Sequence, residues 1–163
     1  MAAFYAVYMP TWNWGPLERL LTWNLAKHAR WSGGALKLLG EDTTVTGTLV
    51  SSPRFDMQIV RGCDALEPAA LFLAAVIAFP VSFRKKLIGA LLGIVLIEAT
   101  NVVRMVSLYF VGVHWRQHFK MMHEEVWQAG FIVISVSFWA LWALWASRNM
   151  QPRLSTHDVR SKS

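Results

Sequence analysis

Three long apolar runs are the feature that most constrains the fold of this chain. They cover residues 65–83, 87–113 and 126–146, and charged residues are rare inside them. Each run is long enough to cross a bilayer as a helix, which needs about 20 apolar residues and satisfies its own backbone polar groups in lipid. Charged residues make up only 16% of the chain, whereas soluble domains carry about 25%. The sequence therefore predicts one integral membrane domain over residues 1–148, an all-α bundle with three transmembrane helices.

Basic residues beside the apolar runs predict how the bundle is oriented. Residues 84–86 form a basic loop between the first two runs, and residues 149–163 form a basic tail. The positive-inside rule puts both in the cytoplasm. The loop between the second and third runs is then extracytoplasmic, although it holds Arg116 and Lys120. Because the positive charges flank membrane segments, we interpret them as orienting signals and expect no nucleic-acid partner.

The residues upstream of the first run are too polar to span a membrane. Residues 16–40 carry leucines and tryptophans at helical spacing among charges, which predicts an amphipathic helix that lies at the membrane interface and ends at Gly40. Residues 42–61 alternate in the manner of strands around a turn at residues 51–53, which predicts a short extracytoplasmic β-hairpin. The opening "MAAFYAVYMP" is apolar but too short to cross, so we expect an N-terminal stub.

Cys63 is the only cysteine in the chain and stands at the outer mouth of the first run. Asp64 is expected to cap the helix that follows, with Glu67 three residues later in capping-box spacing. The positive potential of a helix N-terminus favours a thiolate, whereas the two carboxylates oppose it. A reactive thiol here needs a nearby cation. With one, Cys63 should react at a rate that titrates below the ordinary thiol value.

Arg104, in the second run, is the candidate cation. An arginine costs about 2.5 to 3.5 kcal/mol at the centre of a membrane helix and usually marks function, and its long side chain can reach outward. Glu98 and Asn101 precede it at intervals of three, so the three residues share one broad polar face. Glu67 or Glu98 is the expected ion-pair partner of Arg104.

His123 lies just before the third run, at the outer level again. An imidazole is the natural proton shuttle for a cysteine nucleophile. Cys63, Arg104 and His123 therefore belong to three different membrane segments and are predicted to meet at the extracytoplasmic end of the bundle.

Other interpretations of these residues remain open at this point. The thiol can be an inert small hydrophobe, and Arg104 can simply bridge helices. A non-catalytic membrane scaffold, in which Arg104 and Glu98 pair with the span of a partner, is the main alternative function. A metal site at His114, His118 and His123 is a weaker one, since the HExxH signature is absent. We expect no metal and no cofactor.

Three motifs give the chain a family resemblance. They are "GCDALE" at residues 62–67, "NVVRMVSLY" at residues 101–109 and "MMHEEVWQA" at residues 121–129. In this order and spacing they resemble the exosortase/archaeosortase family of membrane cysteine transpeptidases, over about residues 16–145. The upstream "LLGEDTTVTGTLVSSP" is most similar to the exosortase H branch.

The resemblance implies a role for each candidate residue. Cys63 would be the nucleophile, Arg104 would stabilise the thiolate or the oxyanion, and His123 would be the general acid/base. Glu67, Glu98 and Asn101, singled out above from spacing, are expected to support the site or bind substrate.

The resemblance also implies substrates and a location. The substrates would be secreted proteins that end in a short motif, a membrane helix and a basic tail, of the IPTL type for the exosortase H branch. The protein would lie in the bacterial inner membrane with its active site on the extracytoplasmic side and its C-terminus in the cytoplasm.

The chain departs from the family pattern in two places. After the cysteine, the family usually has Asn or Ser followed by Gly, where this chain has Asp64 and Ala65. The family also normally begins with a full membrane span, where this chain has the apolar stub.

Overall fold

The structure, a computed structural model, describes residues 15–148. The expected N-terminal stub and the basic tail over residues 149–163 lie outside this part. The elements in order are α1 Gly15–Leu38, β1 Thr44–Thr46, β2 Leu49–Ser51, β3 Met57–Gln58, α2 Leu66–Ala78, α3 Phe83–His114 and α4 Trp127–Ser147, with short helical turns joining α3 to α4. The mostly helical membrane architecture and the small sheet agree with the prediction.

α1 ends at a glycine cap and buries one face. Gly40 adopts a φ of +89°, and the N–H groups of Gly40 and Glu41 donate to the carbonyls of Lys37 and Leu36, each at 3.0 Å. This pairing closes a helix with the left-handed residue that glycine favours. Residues at helical spacing on one face are buried against α3 and the sheet: Leu21, Leu25, His28, Ala29, Ser32 and Leu36. The position of α1 at the membrane interface stays a prediction.

The segment between α1 and α2 is a three-stranded antiparallel sheet and not the two-stranded hairpin that the sequence predicts. The alternation of "TTVTGTLV" predicts one strand, but Thr46 pairs with Leu49, so the chain reverses at residues 47–48. Gly47 makes this turn at a φ of +62°, a conformation that costs glycine nothing. The alternation continues through the turn, which is why the pattern hid it.

α2 is shorter than the first predicted span. It covers 13 residues, or about 20 Å at about 1.5 Å per residue, whereas the hydrocarbon core is about 30 Å thick. Phe79 ends the helix with an extended backbone (φ −71°, ψ 131°), because a residue before a proline, here Pro80, is pushed out of the helical region. The first of the three predicted spans is therefore not confirmed as a full crossing.

The second and third apolar runs do reach spanning length. Among residues 15–148 the candidate membrane helices are Phe83–His114 and Arg116–Ser147, each of 32 residues. From Phe83 to Arg104, α3 rises about 32 Å at about 1.5 Å per residue, which alone matches the hydrocarbon thickness. The last turns of α3 pack against the sheet, where Gly112 contacts the ring of Phe55.

Two hydrophobic cores lie on either side of the level of Arg104. The sheet core is built from α1, the sheet and the end of α3: Leu25, Ala29, Leu36, Val50, Met57, Ile59, Cys63, Met105 and Tyr109. The bundle core joins α2, α3 and α4: Ala65, Phe72, Val76, Ile97, Phe131, Trp142, Ala143 and Ala146. The residues 62–65, which we call the thiol turn, connect the two cores, because Cys63 belongs to one and Ala65 to the other.

Candidate active site

The thiol turn is sharply bent on both sides of the cysteine. Gly62 has a φ of +87°, and Ala65 has a φ of +55° and is the sole non-glycine residue with positive φ between residues 15 and 148. The N–H of Cys63 donates to the carbonyl of Val60 at 3.0 Å. Left-handed backbone is unfavourable for a residue with a Cβ and is concentrated at functional sites.

The expected capping box does not form at this turn. The N-cap residue of α2 is Ala65 and not Asp64, and Ala65 has no side-chain group that could cap the helix. The left-handed Ala65 inserts one residue between Asp64 and the helix, which shifts the spacing on which the box depends. Glu67 lies in the first turn of α2, and the ion pairs within residues 15–148 do not join it to Arg104.

Cys63 and His123 are in direct contact. The distance between Cys63 Sγ and His123 Nε2 is 3.1 Å, within the range of a hydrogen bond to sulfur. His123 lies on a π-helical turn, Met122–Val126, and its ring stacks on Phe119 at 6.0 Å between centroids. Such turns are rare and recur at functional sites. A sulfhydryl donor and an imidazole acceptor so placed can exchange one proton.

Arg104 lies beside this pair and is nearly buried, with 8% of its surface exposed. Its Nη2 donates to the carbonyl oxygen of His123 at 3.4 Å, and the guanidinium carbon lies 6.0 Å from the ring centroid of Phe131. Arg104 Nε has no hydrogen-bond partner among the described residues. A charged donor with a free N–H therefore lies close to the thiol.

The pKa of Cys63 is the balance of opposing effects. Burial raises the pKa above the ordinary thiol value, the charge of Arg104 and the N–H bond to Val60 lower it, and the carboxyl of Asp64 raises it further. Burial dominates, so the pKa is raised, contrary to the expectation of a titration below the ordinary value. In this state the thiol keeps its proton, and a base in contact is needed to make a thiolate.

Glu98 has partners other than the one the sequence suggested. Its two carboxylate oxygens lie 3.2 Å from Lys27 Nζ and 2.8 Å from His28 Nε2, both on α1. The expectation of a Glu98–Arg104 pair is wrong because six residues turn a helix by about 240° and raise it by about 9 Å. Glu98 therefore faces α1 while Arg104 faces the thiol.

The sequence reasoning missed α1 as a neighbour of the site. Asn24 Nδ2 donates to the carbonyl oxygen of Asp64 at 3.3 Å, and His28, which is fully buried, contacts Glu98. The signal was present in the sequence, because His28 interrupts a stripe of buried apolar residues at helical spacing. A histidine on such a stripe needs buried partners.

Asn101, singled out from its spacing, also contacts the thiol turn. Its Nδ2 donates to the carbonyl oxygen of Cys63 at 2.9 Å, and the side chain is fully buried. The histidines of the alternative metal site do not gather. His114 lies against Arg54 and the carbonyl of Phe110, and residues 15–148 hold no group of three metal-ligating side chains.

Comparison with known proteins identifies the family. The family model described as transmembrane exosortase (EpsH type) matches residues 2–143. Separate comparisons with curated proteins and with solved structures find no match. The matched range contains the thiol turn, α3 and most of α4, and it confirms the resemblance carried by the three sequence motifs. The chain belongs to the transmembrane exosortase family.

Proposed function

We propose that this protein is a membrane cysteine transpeptidase that cleaves the C-terminal sorting signal of secreted proteins. Family membership supports a transpeptidase role in a membrane. The observation that carries the finer proposal is the 3.1 Å contact between Cys63 Sγ and His123 Nε2, with the buried guanidinium of Arg104 beside it. Cys63 is the nucleophile, His123 the general acid/base, and Arg104 the group that stabilises the oxyanion.

The first half of the reaction forms a thioester. His123 Nε2 takes the thiol proton as Sγ attacks the carbonyl carbon of the substrate, because the raised pKa keeps Cys63 protonated until a base acts. The negative charge that develops on the substrate oxygen is stabilised by the free N–H of Arg104. His123 then gives its proton to the leaving amine, the C–N bond breaks and the acyl-enzyme remains on Cys63.

The second half transfers the acyl group. An amine or hydroxyl acceptor attacks the thioester carbon while His123 takes its proton. The C–S bond breaks, and the sulfur regains a proton from His123. Water as acceptor gives hydrolysis instead of transfer.

The substrate and the location follow from the branch resemblance and the basic loops. The substrates are secreted proteins with an IPTL-type motif, a membrane helix and a basic tail. The site lies on the extracytoplasmic side of the bacterial inner membrane. The rise of about 32 Å from Phe83 to Arg104 supports this placement, because it sets Arg104 near one edge of the hydrocarbon when Phe83 lies at the other.

Co-expression with a tagged substrate of this kind tests the proposal. We expect no processing by Cys63→Ala or His123→Ala protein. Processing should persist in His114→Ala protein. This control removes a histidine at the end of α3 that does not contact the thiol. Arg104→Lys keeps the charge but loses the planar fork, and we expect it to be severely impaired. Undiminished processing by folded Cys63→Ala protein would end the proposal and favour the scaffold.

A further inference from the structure

Two side-chain amides bind consecutive carbonyl groups of the thiol turn. Asn101, on α3, donates to the carbonyl oxygen of Cys63 at 2.9 Å. Asn24, on α1, donates to the carbonyl oxygen of Asp64 at 3.3 Å. The nucleophile and the residue after it are thus attached through their backbones to two different helices.

The turn needs such attachments to keep its shape. Ala65 has a φ of +55°, and left-handed backbone at a residue with a Cβ persists only where the surroundings fix it. A turn that relaxed would move Cys63 Sγ away from His123. Hydrogen bonds from rigid helices hold the carbonyl orientations that the turn requires.

The amide of Asn101 carries a cost in stability. The side chain is fully buried, and its Oδ1 has no hydrogen-bond partner among the described residues. A buried acceptor without a partner is unfavourable, whereas an apolar side chain of similar shape carries no such penalty. Compared with such an apolar side chain, the amide of Asn101 contributes the hydrogen bond to the carbonyl of Cys63.

α1 is fastened to α3 one turn away from Asn24. His28 Nδ1 lies 2.9 Å from the carbonyl oxygen of Asn24, and His28 Nε2 lies 2.8 Å from Glu98 Oε2. Lys27 Nζ binds the other oxygen of Glu98 at 3.2 Å. These contacts set the register of α1 and hold the Asn24 amide over the thiol turn.

We propose that Asn24 and Asn101 are positioning residues that fix the thiol turn and keep Cys63 Sγ against His123, so that α1 is part of the active site. The inference rests on the proposed function for its meaning. The positioning itself is measurable without any substrate, because Cys63 is the only thiol in the chain.

The test is the rate at which N-ethylmaleimide alkylates Cys63 in the full-length protein in membranes. Cys63 is 4% exposed, so alkylation requires the turn to open. Asn24→Leu removes the donor, and we expect alkylation to become about fivefold faster, the factor that corresponds to one ordinary hydrogen bond. Thr22→Leu introduces the same side chain on the exposed face of α1 and should react at the wild-type rate.

Asn24→Asp separates hydrogen bonding from packing. At neutral pH the carboxylate offers no donor, so its rate should match that of Asn24→Leu. In acid the protonated carboxyl regains an O–H donor, and the ratio of its rate to the wild-type rate should fall toward one, while the ratio for Asn24→Leu stays constant.

Two results would overturn the positioning role. They are wild-type alkylation by folded Asn24→Leu protein, or ratios for Asn24→Asp and Asn24→Leu that remain equal at every pH. Either result leaves the proposed function standing. Processing of the substrate by Cys63→Ala protein would instead refute the proposed function, and it would not affect the alkylation rates measured for the Asn24 variants.

Discussion

The two cores of this protein both pack rings against glycines of α3, but they differ in how many polar side chains join their elements. In the bundle core, rings fill the spaces left by glycines of α3: Phe72 lies over Gly93 and Trp142 over Gly89. In the sheet core, polar side chains join the sheet to α3. The bundle core therefore relies on close approach at glycines, as transmembrane helices commonly do. The half beside the sheet adds hydrogen bonds to its packing.

The thiol turn lies between these two cores. Cys63 packs in the sheet core and Ala65 in the bundle core. The site therefore lies between a core of packed helices and a core whose elements are also joined by side-chain hydrogen bonds. Perturbing one core at a time distinguishes what each contributes.

The largest effect is expected in the bundle core. A Cβ at Gly93 would overlap the ring of Phe72, so Gly93→Ala should destabilise the protein by about 1 to 3 kcal/mol through overpacking. Thermal unfolding in detergent micelles measures this. Gly130, on α4, has open space around it, and Gly130→Ala should be neutral or stabilising by up to about 1 kcal/mol. Equal effects of the two substitutions would refute the packing role of Gly93.

The next effect is expected in the sheet core. The hydroxyl of Tyr109 donates to Glu41 Oε2 at 2.9 Å and lies 2.7 Å from Ser52 Oγ. Tyr109→Phe removes both bonds and should cost about 1 to 2 kcal/mol in the same unfolding measurement. Thr46→Val removes an exposed hydroxyl of β1 and serves as the matched control. A neutral Tyr109→Phe would show that packing alone holds this core.

Asp64→Asn changes the chemistry of the turn that joins the cores. Burial raises the pKa of the Asp64 carboxyl, and this carboxyl raises the pKa of Cys63. The variant should therefore shift the pH midpoint of Cys63 alkylation downward. Asp42→Asn, an exposed carboxyl before β1, should leave the midpoint in place. An unchanged midpoint in Asp64→Asn protein would remove Asp64 from the electrostatics of the thiol.

Asp64→Asn should also change how the stability of the protein depends on pH. Because the folded pKa of Asp64 lies above the unfolded value, the unfolded chain releases its proton first, and stability falls as the pH rises from the ordinary aspartate range through the raised pKa. Asp64→Asn should abolish this fall. The other carboxylates contribute equally to both proteins, so the test is the stability of the wild type minus that of Asp64→Asn. A difference that rises with pH over that range would contradict the raised pKa.

The smallest effect is expected at Ala65. Its φ of +55° is unfavourable for a residue with a Cβ, so Ala65→Gly should stabilise the protein by about 1 kcal/mol or less, since glycine also gains freedom in the unfolded chain. Ala69→Gly, inside α2, should instead destabilise by about 1 kcal/mol. Destabilisation by both would mean that Ala65 is not strained.

The sequence allowed some of this structure to be predicted and concealed the rest. The helices over Phe83–His114 and Arg116–Ser147 follow from long apolar runs, a signal that depends on composition alone. The early end of α2 was visible in Pro80, but the run of apolar residues outweighed it. The turn at Gly47 was hidden by unbroken alternation.

For the site, residue types were more predictable than contacts. The thiol, arginine and imidazole on separate segments were identified by spacing. The partner of Glu98 was not, because it depends on how α1 packs against α3. The left-handed Ala65 and the π-helical turn at His123 are set by tertiary contacts, and no local sequence pattern predicts them.

The central claim is that Cys63 carries the acyl group after His123 has taken its proton. The most direct measurement is mass spectrometry of the protein isolated together with a co-expressed substrate. We predict a hydroxylamine-sensitive thioester on Cys63 in His114→Ala protein as in wild type, and no adduct in His123→Ala protein. Cleaved substrate without any adduct on Cys63, or an adduct that forms equally in His123→Ala protein, would contradict the account.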